Sequence, residues 1–266
     1  MTSLVAGKGS RSCARKLLRT LGFAAEEQSP LSQERNAVKI SRRANQVVPL
    51  VEGPRVLHVG CAAHEPDPDD PSWLHGALCK RFPDAAGLDL RRDLVEKLEK
   101  LGFRNLYVAN AETFDIERQF DTIVAGDIIE HLSNPGAFLD RAKKHLAPEG
   151  KLIITTPFPF SLGALAYAFL KYPRTCWNVE HTCWFCLQTF GELSRRAGLR
   201  IVHEDLIGSY SLDNPCLPYR AFVRTLSILG GIMPKRLKCN TMLFILTHSE
   251  PAEILPYRTD VNTFGH

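Results

Sequence analysis

Short apolar runs alternate with amphipathic stretches through the first two thirds of the chain. Residues 120–125 are almost wholly apolar, which is typical of a strand that is buried on both faces of a sheet. Residues 94–101 place leucine and valine on one helix face, and the helix that they predict ends at Gly102. Repetition of strand and helix predicts a parallel sheet with right-handed crossovers. The strands predicted in this part are about residues 55–60, a run ending at Asp89, 105–109, 120–125 and 151–156.

The alternation breaks after the fifth strand. Residues 158–186 are rich in aromatic residues and proline, a helix is predicted over Leu187 to Ala197, and strands are predicted near 200–207 and over Thr241 to Thr247. The resulting division is a basic arm with helices at 1–50, one domain at 51–250, and a polar tail at 251–266. The domain carries two insertions that are predicted to act as lids, at 158–186 and 209–238.

The charge of the chain is concentrated at its start. Residues 1–50 hold nine Lys/Arg and three Glu, whereas the remainder has slightly more acidic than basic residues. The body therefore lacks the basic excess of a nucleic-acid surface. The start also has the Arg- and Ser-rich composition of an organellar transit peptide, and a basic arm is the alternative interpretation. No apolar run reaches the roughly 18 residues of a transmembrane helix, and we predict a cytoplasmic protein.

The cysteines are predicted to be reduced thiols, because the chain is long and shows no export signal. One group, Cys176, His181, Cys183 and Cys186, has residue types that can hold zinc. Its spacing is cramped and a second Cys-x-x-Cys pair is lacking, which favours thiols packed among aromatic residues. No metal site is predicted from the sequence.

Two strand ends carry the first functional signal. The run from Arg55 ends at Gly60, and 29 residues later a second run ends at Asp89. A glycine at the end of a strand lets the backbone approach a ligand, and an acid at the end of the next strand can accept hydrogen bonds from both hydroxyls of a ribose. The pair predicts a site for a cofactor that contains adenosine.

Five short motifs follow one another between residues 56 and 157. They are Val-Leu-His-Val-Gly-Cys-Ala-Ala-His-Glu (56–65), Gly-Leu-Asp-Leu (87–90), Asn-Ala-Glu (110–112), Phe-Asp-Thr-Ile-Val-Ala-Gly-Asp-Ile-Ile-Glu-His-Leu (120–132) and Leu-Ala-Pro-Glu-Gly-Lys-Leu-Ile-Ile-Thr-Thr-Pro (146–157). Each is weak alone, but their order is specific. Over residues 54–207 the chain resembles a class I S-adenosylmethionine-dependent methyltransferase of the branch that includes ubiquinone-biosynthesis, sugar and natural-product enzymes.

The resemblance implies an α/β fold with a Rossmann-like, seven-stranded, mostly parallel sheet of order 3-2-1-4-5-7-6, flanked by helices, with insertions after strands 5 and 6. It implies S-adenosylmethionine as the cofactor, bound along the carboxyl ends of strands 1, 2 and 4. The positions that it assigns are Gly60, Cys61 and Ala62 for the methionine part, Asp89 for the ribose, Leu90, Ala111 and Glu112 for the adenine, and Asp127 and Ile128 for the methionine amino group and the sulfonium.

The cofactor loop departs from the family pattern of acid-x-Gly-x-Gly-x-Gly. His58 stands at the acid, and Ala62 and His64 stand at two of the glycines, so Gly60 alone remains. We hypothesise that Glu65 or Asp127 takes over the acid's contact with the cofactor amine. The altered loop also leaves open a non-catalytic binding protein that retains the fold.

Two histidines are candidates for taking a proton from the methyl acceptor, since an oxygen nucleophile that arrives protonated needs a base. His131 follows strand four in Asp-Ile-Ile-Glu-His, and its alternative role is packing under the next loop. In the resembling proteins a segment like that of His181 covers the active site, and Glu180 is the candidate partner that would orient this histidine. Its alternative role is a helix-entry residue bonded to backbone.

The predicted function is methyl transfer to an oxygen or nitrogen of a small molecule, such as a metabolite, natural product or saccharide. The aromatic residues of 158–186 and an apolar stretch near 219–232 indicate a pocket for a ring-bearing or apolar substrate. Methylation of RNA or protein with the basic arm is a second hypothesis. The Asn/Asp-Pro-Pro-aromatic signature is absent after strand four, which argues only against exocyclic base amines as acceptors. The sequence does not indicate the oligomeric state.

Overall fold

The computed structural model describes residues 43–62, 67–170, 178–208, 225, 235 and 239–249. Seven strands in these residues form one sheet of order β3-β2-β1-β4-β5-β7-β6. They are β1 (Val56–Val59), β2 (Ala86–Asp89), β3 (Leu106–Val108), β4 (Phe120–Gly126), β5 (Leu146–Pro157), β6 (Leu199–Ile207) and β7 (Thr241–His248). The first five strands pair in parallel, and β7 pairs antiparallel with both β5 and β6. The predicted fold class and strand order are confirmed.

Helices flank the sheet in the described part of the chain. They are α1 (Arg43–Val47), α2 (Leu74–Arg81), α3 (Arg92–Lys100), α4 (Pro135–His145), α5 (Leu162–Leu170) and α6 (Leu187–Arg196), with short 3₁₀ turns at Val48–Leu50 and Ile129–His131. The start of α4 follows from its sequence, because the Asn134 side chain accepts a hydrogen bond from the Ala137 amide and Pro135 lies in the first turn.

The hydrophobic core lies on both faces of the sheet. On β4, Ile123 and Ala125 pack in the cluster that contains Phe138 of α4, whereas Val124 packs on the other face with Leu78 of α2. This alternation of buried faces is the arrangement that the apolar run of β4 predicts. Phe190 of α6 is fully buried and stacks on a phenylalanine of β7, which fixes α6 against the sheet.

The fifth strand begins earlier than its sequence suggests. A turn at 148–150 followed by a strand from Lys151 is the expectation from Pro-Glu-Gly, but β5 starts at Leu146. Leu146 pairs with Phe120, and the register then shifts before Thr122 pairs with Lys151. Leu146 is buried and paired, whereas residues 148–149 are exposed and form an irregularity in the strand. The turn therefore shifts the register of β5 but does not end the strand.

The insertion after β5 contains the helix α5, and the described side chains of this helix include the exposed apolar residues Leu165 and Phe169. Among the described residues, no helix combines the length and the apolar character needed to cross a membrane. The predicted arm at 1–50 lies outside the described residues up to position 42, as do the tail and almost all of the insertion at 209–238. The predicted division into domains stays a prediction.

Candidate functional site

The carboxyl ends of the central strands meet at one edge of the sheet. Val59 of β1 pairs with Leu88 of β2 and with Ala125 of β4, so these three strands end at the same level. Most of the predicted cofactor residues follow directly after them. In an open α/β sheet this edge, between strands whose crossovers run in opposite directions, is where ligands bind.

Gly60 makes the tight turn after β1. Its φ is +76°, its amide donates a hydrogen bond of 2.8 Å to the Leu88 carbonyl, and the Cys61 amide donates to the same oxygen at 3.2 Å. A Cβ at this position would lie 2.9 Å from Cδ1 of Ile128. The retained glycine is therefore required both by the backbone conformation and by the close approach of Ile128. This contact joins the predicted cofactor loop to the segment that follows β4.

Asp89 ends β2 with its carboxylate turned toward the cofactor loop. Oδ2 accepts a hydrogen bond of 3.0 Å from the Ala62 amide, and Oδ1 accepts one of 3.0 Å from the Arg91 amide. A carboxylate has about four acceptor positions, so each oxygen retains capacity for a further donor. Leu90, which is 68% exposed, presents apolar surface beside it. The acid that is predicted to bind a ribose thus also organises the loop.

The loop after β3 is joined to the loop after β4. Oε1 of Glu112 accepts hydrogen bonds from the amides of Ser133 (2.7 Å) and Asn134 (3.0 Å), and Ala111 is buried. Glu112 therefore holds the entry to α4 in place. The predicted position of Ala111 and Glu112 beside an adenine stays a prediction.

The histidine at the family's acid position packs beneath the loop. His58 is buried and stacks on His75 of α2, with ring centroids 5.5 Å apart. Burial lowers the pKa of His58 well below its ordinary value and lowers that of His75 to about 4, so both rings are neutral near pH 7. Trp73 holds the loop from the same side, since its Nε1 donates to the Cys61 carbonyl at 2.9 Å. Glu65, one of the two hypothesised replacements for the acid, lies outside the described residues.

Asp127, the other hypothesised replacement, has both carboxylate oxygens engaged within the protein. Oδ1 accepts a hydrogen bond of 2.8 Å from the Thr155 hydroxyl, and Oδ2 lies 2.7 Å from a guanidinium nitrogen of Arg43 in α1. A cofactor amine at this position would share the carboxylate with Arg43. The assignment of Asp127 to the amine stays a prediction.

Glu130 is a buried carboxylate directly beside these residues, and the sequence reasoning did not select it. Oε2 accepts a hydrogen bond of 3.0 Å from the Thr156 hydroxyl, whereas Oε1 has no hydrogen-bond partner among the described residues. Burial and the nearby charge of Asp127 raise the pKa of Glu130 to about 8. The available signal was an acid that follows two isoleucines and lies four residues after the end of a buried strand.

The two candidate catalytic histidines lie together although 50 residues separate them. The rings of His131 and His181 meet edge to face with centroids 4.7 Å apart. One ligand atom from each histidine and one from Glu130 all lie within 4.8 Å of one another. Burial and the proximity of His131 lower the pKa of His181, which favours its neutral ring. Glu180 was expected to orient His181, which follows it in the chain. Its Oε2 lies 4.0 Å from Nδ1 of the other histidine, His131.

Thr182 holds the segment of His181 against the turn after β4. Its amide donates a hydrogen bond of 2.8 Å to the Glu130 carbonyl, and its hydroxyl lies 2.6 Å from the Leu132 carbonyl. The hydroxyl also lies 3.1 Å from the Glu130 carbonyl. These bonds place His181 opposite His131 by anchoring the adjacent backbone rather than the imidazole.

The cysteines near His181 have separate environments. Cys183 is partly buried against the turn after β4, and burial raises the pKa of its thiol. Cys186 lies at the start of α6, 3.5 Å from the Thr189 hydroxyl. Cys176 lies outside the described residues.

Comparisons with known proteins agree with this architecture. The chain matches the model of a family described as a methyltransferase domain over residues 10–204. It is 28% identical over 159 residues to a ubiquinone biosynthesis O-methyltransferase of Rhodopseudomonas palustris (strain TIE-1), an alignment that covers 53% of this chain and 54% of that protein. The chain thus spans about half the length of the curated relatives that it matches.

Solved structures share the fold. A crystal structure of an S-adenosylmethionine-dependent methyltransferase from Clostridium acetobutylicum ATCC 824 superposes with a TM-score of 0.52 at 10% identity, covering 90% of this chain and 100% of that one. Magnesium protoporphyrin IX methyltransferase from Synechocystis PCC 6803, with bound SAH, gives a TM-score of 0.51 at 11% identity, covering 90% of this chain and 100% of that one. At this level of identity the superpositions establish the fold alone.

Proposed function

Because this chain belongs to the methyltransferase-domain family, we propose that it transfers a methyl group from S-adenosylmethionine to an oxygen of a small molecule. The observation that carries the proposal is the contact between Gly60 and Ile128. Gly60 lies against Ile128, the residue that precedes the turn Ile129–His131, and Glu130 and His131 of this turn lie close to His181. A methyl donor held by the loop and an acceptor held by the histidines would therefore meet at this edge of the sheet.

The residues at the strand ends fit the cofactor. Asp89 has acceptor capacity for ribose hydroxyls beyond its two backbone hydrogen bonds, Gly60 leaves the loop without a side chain at its turn, and Leu90 offers an apolar surface for a base. When bound, S-adenosylmethionine supplies the chemistry: its methyl carbon bonds to the acceptor oxygen, the carbon–sulfur bond breaks, and the electron pair stays on sulfur. The protein's task is to align the acceptor and to provide for its proton.

His181 is the first candidate for the base that removes the proton of the acceptor hydroxyl. Its pKa is lowered by burial and by His131, so near pH 7 the ring is neutral and a ring nitrogen can accept a proton from a hydroxyl. His131 lies edge-on to it and is the second candidate. Two exposed aromatic residues, Phe160 shortly after β5 and Trp184 three positions after His181, favour an acceptor that carries a ring.

The small-molecule acceptor is favoured by the O-methyltransferase relatives, of which the Rhodopseudomonas palustris protein acts in ubiquinone biosynthesis. Methylation of RNA or protein with the basic arm of residues 1–50 is the second candidate function. Deletion of residues 1–42, which precede the described part of the arm, should abolish turnover if they hold a macromolecular substrate and should leave turnover intact if the acceptor is small. The proposed function includes a cytoplasmic location.

Calorimetric titration with S-adenosylhomocysteine tests the cofactor site. Asp89→Asn should weaken binding about tenfold or more, because an asparagine amide has one acceptor oxygen instead of two and carries no charge. Asp84→Asn, an exposed change just before the other end of β2, is the matched control and should leave affinity unchanged. Equal affinity in the wild type and both variants would remove Asp89 from the site. No measurable binding to the wild type would contradict the proposed function itself.

A further inference from the structure

The cluster of Glu130, His131 and His181 has the composition of a metal centre. We propose that these three side chains bind a divalent transition-metal cation of the kind that Zn²⁺, Mn²⁺ and Co²⁺ represent, with coordination positions left open for an oxygen of the methyl acceptor. The candidate site is small and comes from two segments, the turn Ile129–His131 and the stretch before α6.

The donor set indicates the class of cation. Two imidazoles and one carboxylate suit first-row divalent metals, whereas Mg²⁺ and Ca²⁺ prefer sites made of oxygen atoms. Three protein ligands leave positions free, which is the arrangement of catalytic rather than structural metal sites. Cys183, although close in sequence, contacts the Ile129 carbonyl and is not part of the group.

The second observation is the unsatisfied oxygen of Glu130. The side chain is 1% exposed, Oε2 is held by Thr156, and Oε1 has no hydrogen-bond partner in the described part of the chain. A buried carboxyl oxygen without a hydrogen-bond partner is costly whether or not the group carries its proton, and coordination to a cation that displaces this proton would remove the cost. One carboxylate oxygen of Glu130 lies within 4.8 Å of a ring nitrogen of each of the two imidazoles.

The geometry requires only a small contraction. A cation with bonds of about 2.0–2.2 Å places neighbouring ligand atoms roughly 3–3.5 Å apart. The His131 side chain is 25% exposed, and His181 lies in a partly exposed segment, so rotation of the rings can close the remaining distance. Thr156 and Thr182 already fix the carboxylate and the backbone beside His181, and Glu180 lies 4.0 Å from Nδ1 of His131 as an outer partner.

The role of the cation rests on the proposed function. Coordination to a divalent cation lowers the pKa of a hydroxyl group, so an acceptor bound at an open position would lose its proton to water and present an oxygen anion to the methyl carbon. In that state His131 and His181 hold the cation instead of taking the proton. The site therefore favours acceptors with phenolic or alcoholic hydroxyls over amines.

The test uses untagged full-length protein that has been stripped with a chelator and then freed of it. Titration with Co²⁺, followed through its visible absorption bands, should show one site per chain. Glu130→Gln and His181→Ala should each weaken Co²⁺ binding by at least about tenfold and change the spectrum. His203→Ala removes an exposed histidine of β6 outside the cluster and should match the wild type. Circular dichroism checks that each variant is folded. If Glu130→Gln does not fold, His181→Ala alone tests the cation site.

The outcomes separate the cation site from the methyltransferase function. Absence of a Co²⁺ spectrum, or equal affinity in the wild type and the cluster variants, overturns the site. S-adenosylhomocysteine titrations of the same samples then decide the rest. Cofactor binding without Co²⁺ binding leaves the proposed function standing, whereas Co²⁺ binding without cofactor binding leaves the cation site and removes the proposed function.

Discussion

Asp127 shows how much of the site depends on one side chain in an unusual backbone conformation. Its φ is +51°, a left-handed value that aspartate and asparagine tolerate better than other residues with a Cβ. Its amide donates to the Thr155 carbonyl at 2.9 Å, and its carboxylate joins Thr155 to Arg43. The turn after β4 is thereby tied to β5 and to α1 before any ligand is present.

Replacements of Asp127 should separate the conformational and electrostatic parts of this role. Asp127→Asn keeps a residue suited to positive φ but loses the ion pair with Arg43, and the free energy of unfolding should fall by about 1–2 kcal/mol. Asp127→Ala should lose roughly a further 1 kcal/mol, because alanine also strains the left-handed turn. Urea denaturation measures both. Equal unfolding free energies for the two variants would show that the backbone conformation is not strained.

At the scale of elements, the site is assembled by hydrogen bonds between two stretches with little regular structure. The turn Ile129–His131 and the segment before α6 are joined by Thr182, whose hydroxyl and amide both reach backbone carbonyls of the turn. Such contacts position loops that lack strand or helix ladders of their own. The distance between the two histidine rings therefore depends on a residue that carries none of the chemistry.

Thr182→Val tests this connection against the matched change Thr182→Ser. Valine keeps the shape but leaves carbonyls of the turn without their hydroxyl donor, so the free energy of unfolding should fall by about 1–2 kcal/mol. Serine keeps the hydroxyl and should remain within about 0.5 kcal/mol of the wild type. Denaturation monitored by tryptophan fluorescence gives both values. A valine variant as stable as the serine variant would mean that the hydroxyl contributes nothing to the loop.

For the molecule as a whole, two neutral histidines lie inside the fold between β1 and α2. His58 and His75 stack on each other, and each has an Nδ1 atom without a partner in the described residues. Cys79 lies 3.6 Å from Nε2 of His75, and the charge of Arg43 also lowers the pKa of His58. None of these neighbours is an acid that could stabilise a protonated His58 or His75. Protonation of either ring therefore destabilises the folded state.

Stability should therefore decrease with acidification through a defined window. The folded-state pKa of His75 is about 4 and its unfolded value is about 6.5, so the unfolded chain binds more protons between these values. Stability that is fully present above pH 6.5 is lost as pH falls toward 4, by about 2 kcal/mol between pH 7.5 and 5 from His75 alone. His58 acts in the same direction. Urea denaturation across this range measures the slope.

His75→Leu should reduce the slope of the free energy of unfolding against pH, because it removes one buried titrating group. A change in stability that is the same at every pH moves this curve up or down and leaves its slope unchanged. The exposed His203→Leu is the control and should keep the wild-type slope. Parallel curves for wild type and His75→Leu would contradict the buried neutral state of His75. The comparison depends on the change of stability with pH and not on its absolute value.

Features set by local sequence could be predicted. The apolar run of β4, the glycine after β1 and the acid that ends β2 each lie within one short segment, and together they predicted the sheet and its ligand-binding edge. The placement of Gly60 next to Ile128 follows once β1 and β4 are neighbours. The glycine and the acid at the strand ends carried the prediction of the cofactor loop, whereas the strand order came from the resemblance to methyltransferases.

Features that join distant segments could not be predicted in the same way. The pairing of Arg43 with Asp127 spans 84 positions, and no periodicity indicates it. Glu130 looked like an ordinary acid beside His131, because only the folded chain shows that its carboxylate is buried and that His181 lies opposite. Similarly, the extension of β5 back to Leu146 depends on pairing with Phe120 and is masked in sequence by a turn motif.

The position of β7 has a consequence for synthesis on the ribosome. This strand lies between β5 and β6 although both precede it in the chain. Until Thr241–His248 emerges, nascent β5 presents an apolar edge whose backbone groups have no partner on that side, and β6 has no place in the sheet. From the end of β5 to the start of β7, a stretch of about a third of the chain, the growing polypeptide thus exposes a strand edge that can pair with other chains, and it depends on the last described strand to close that edge.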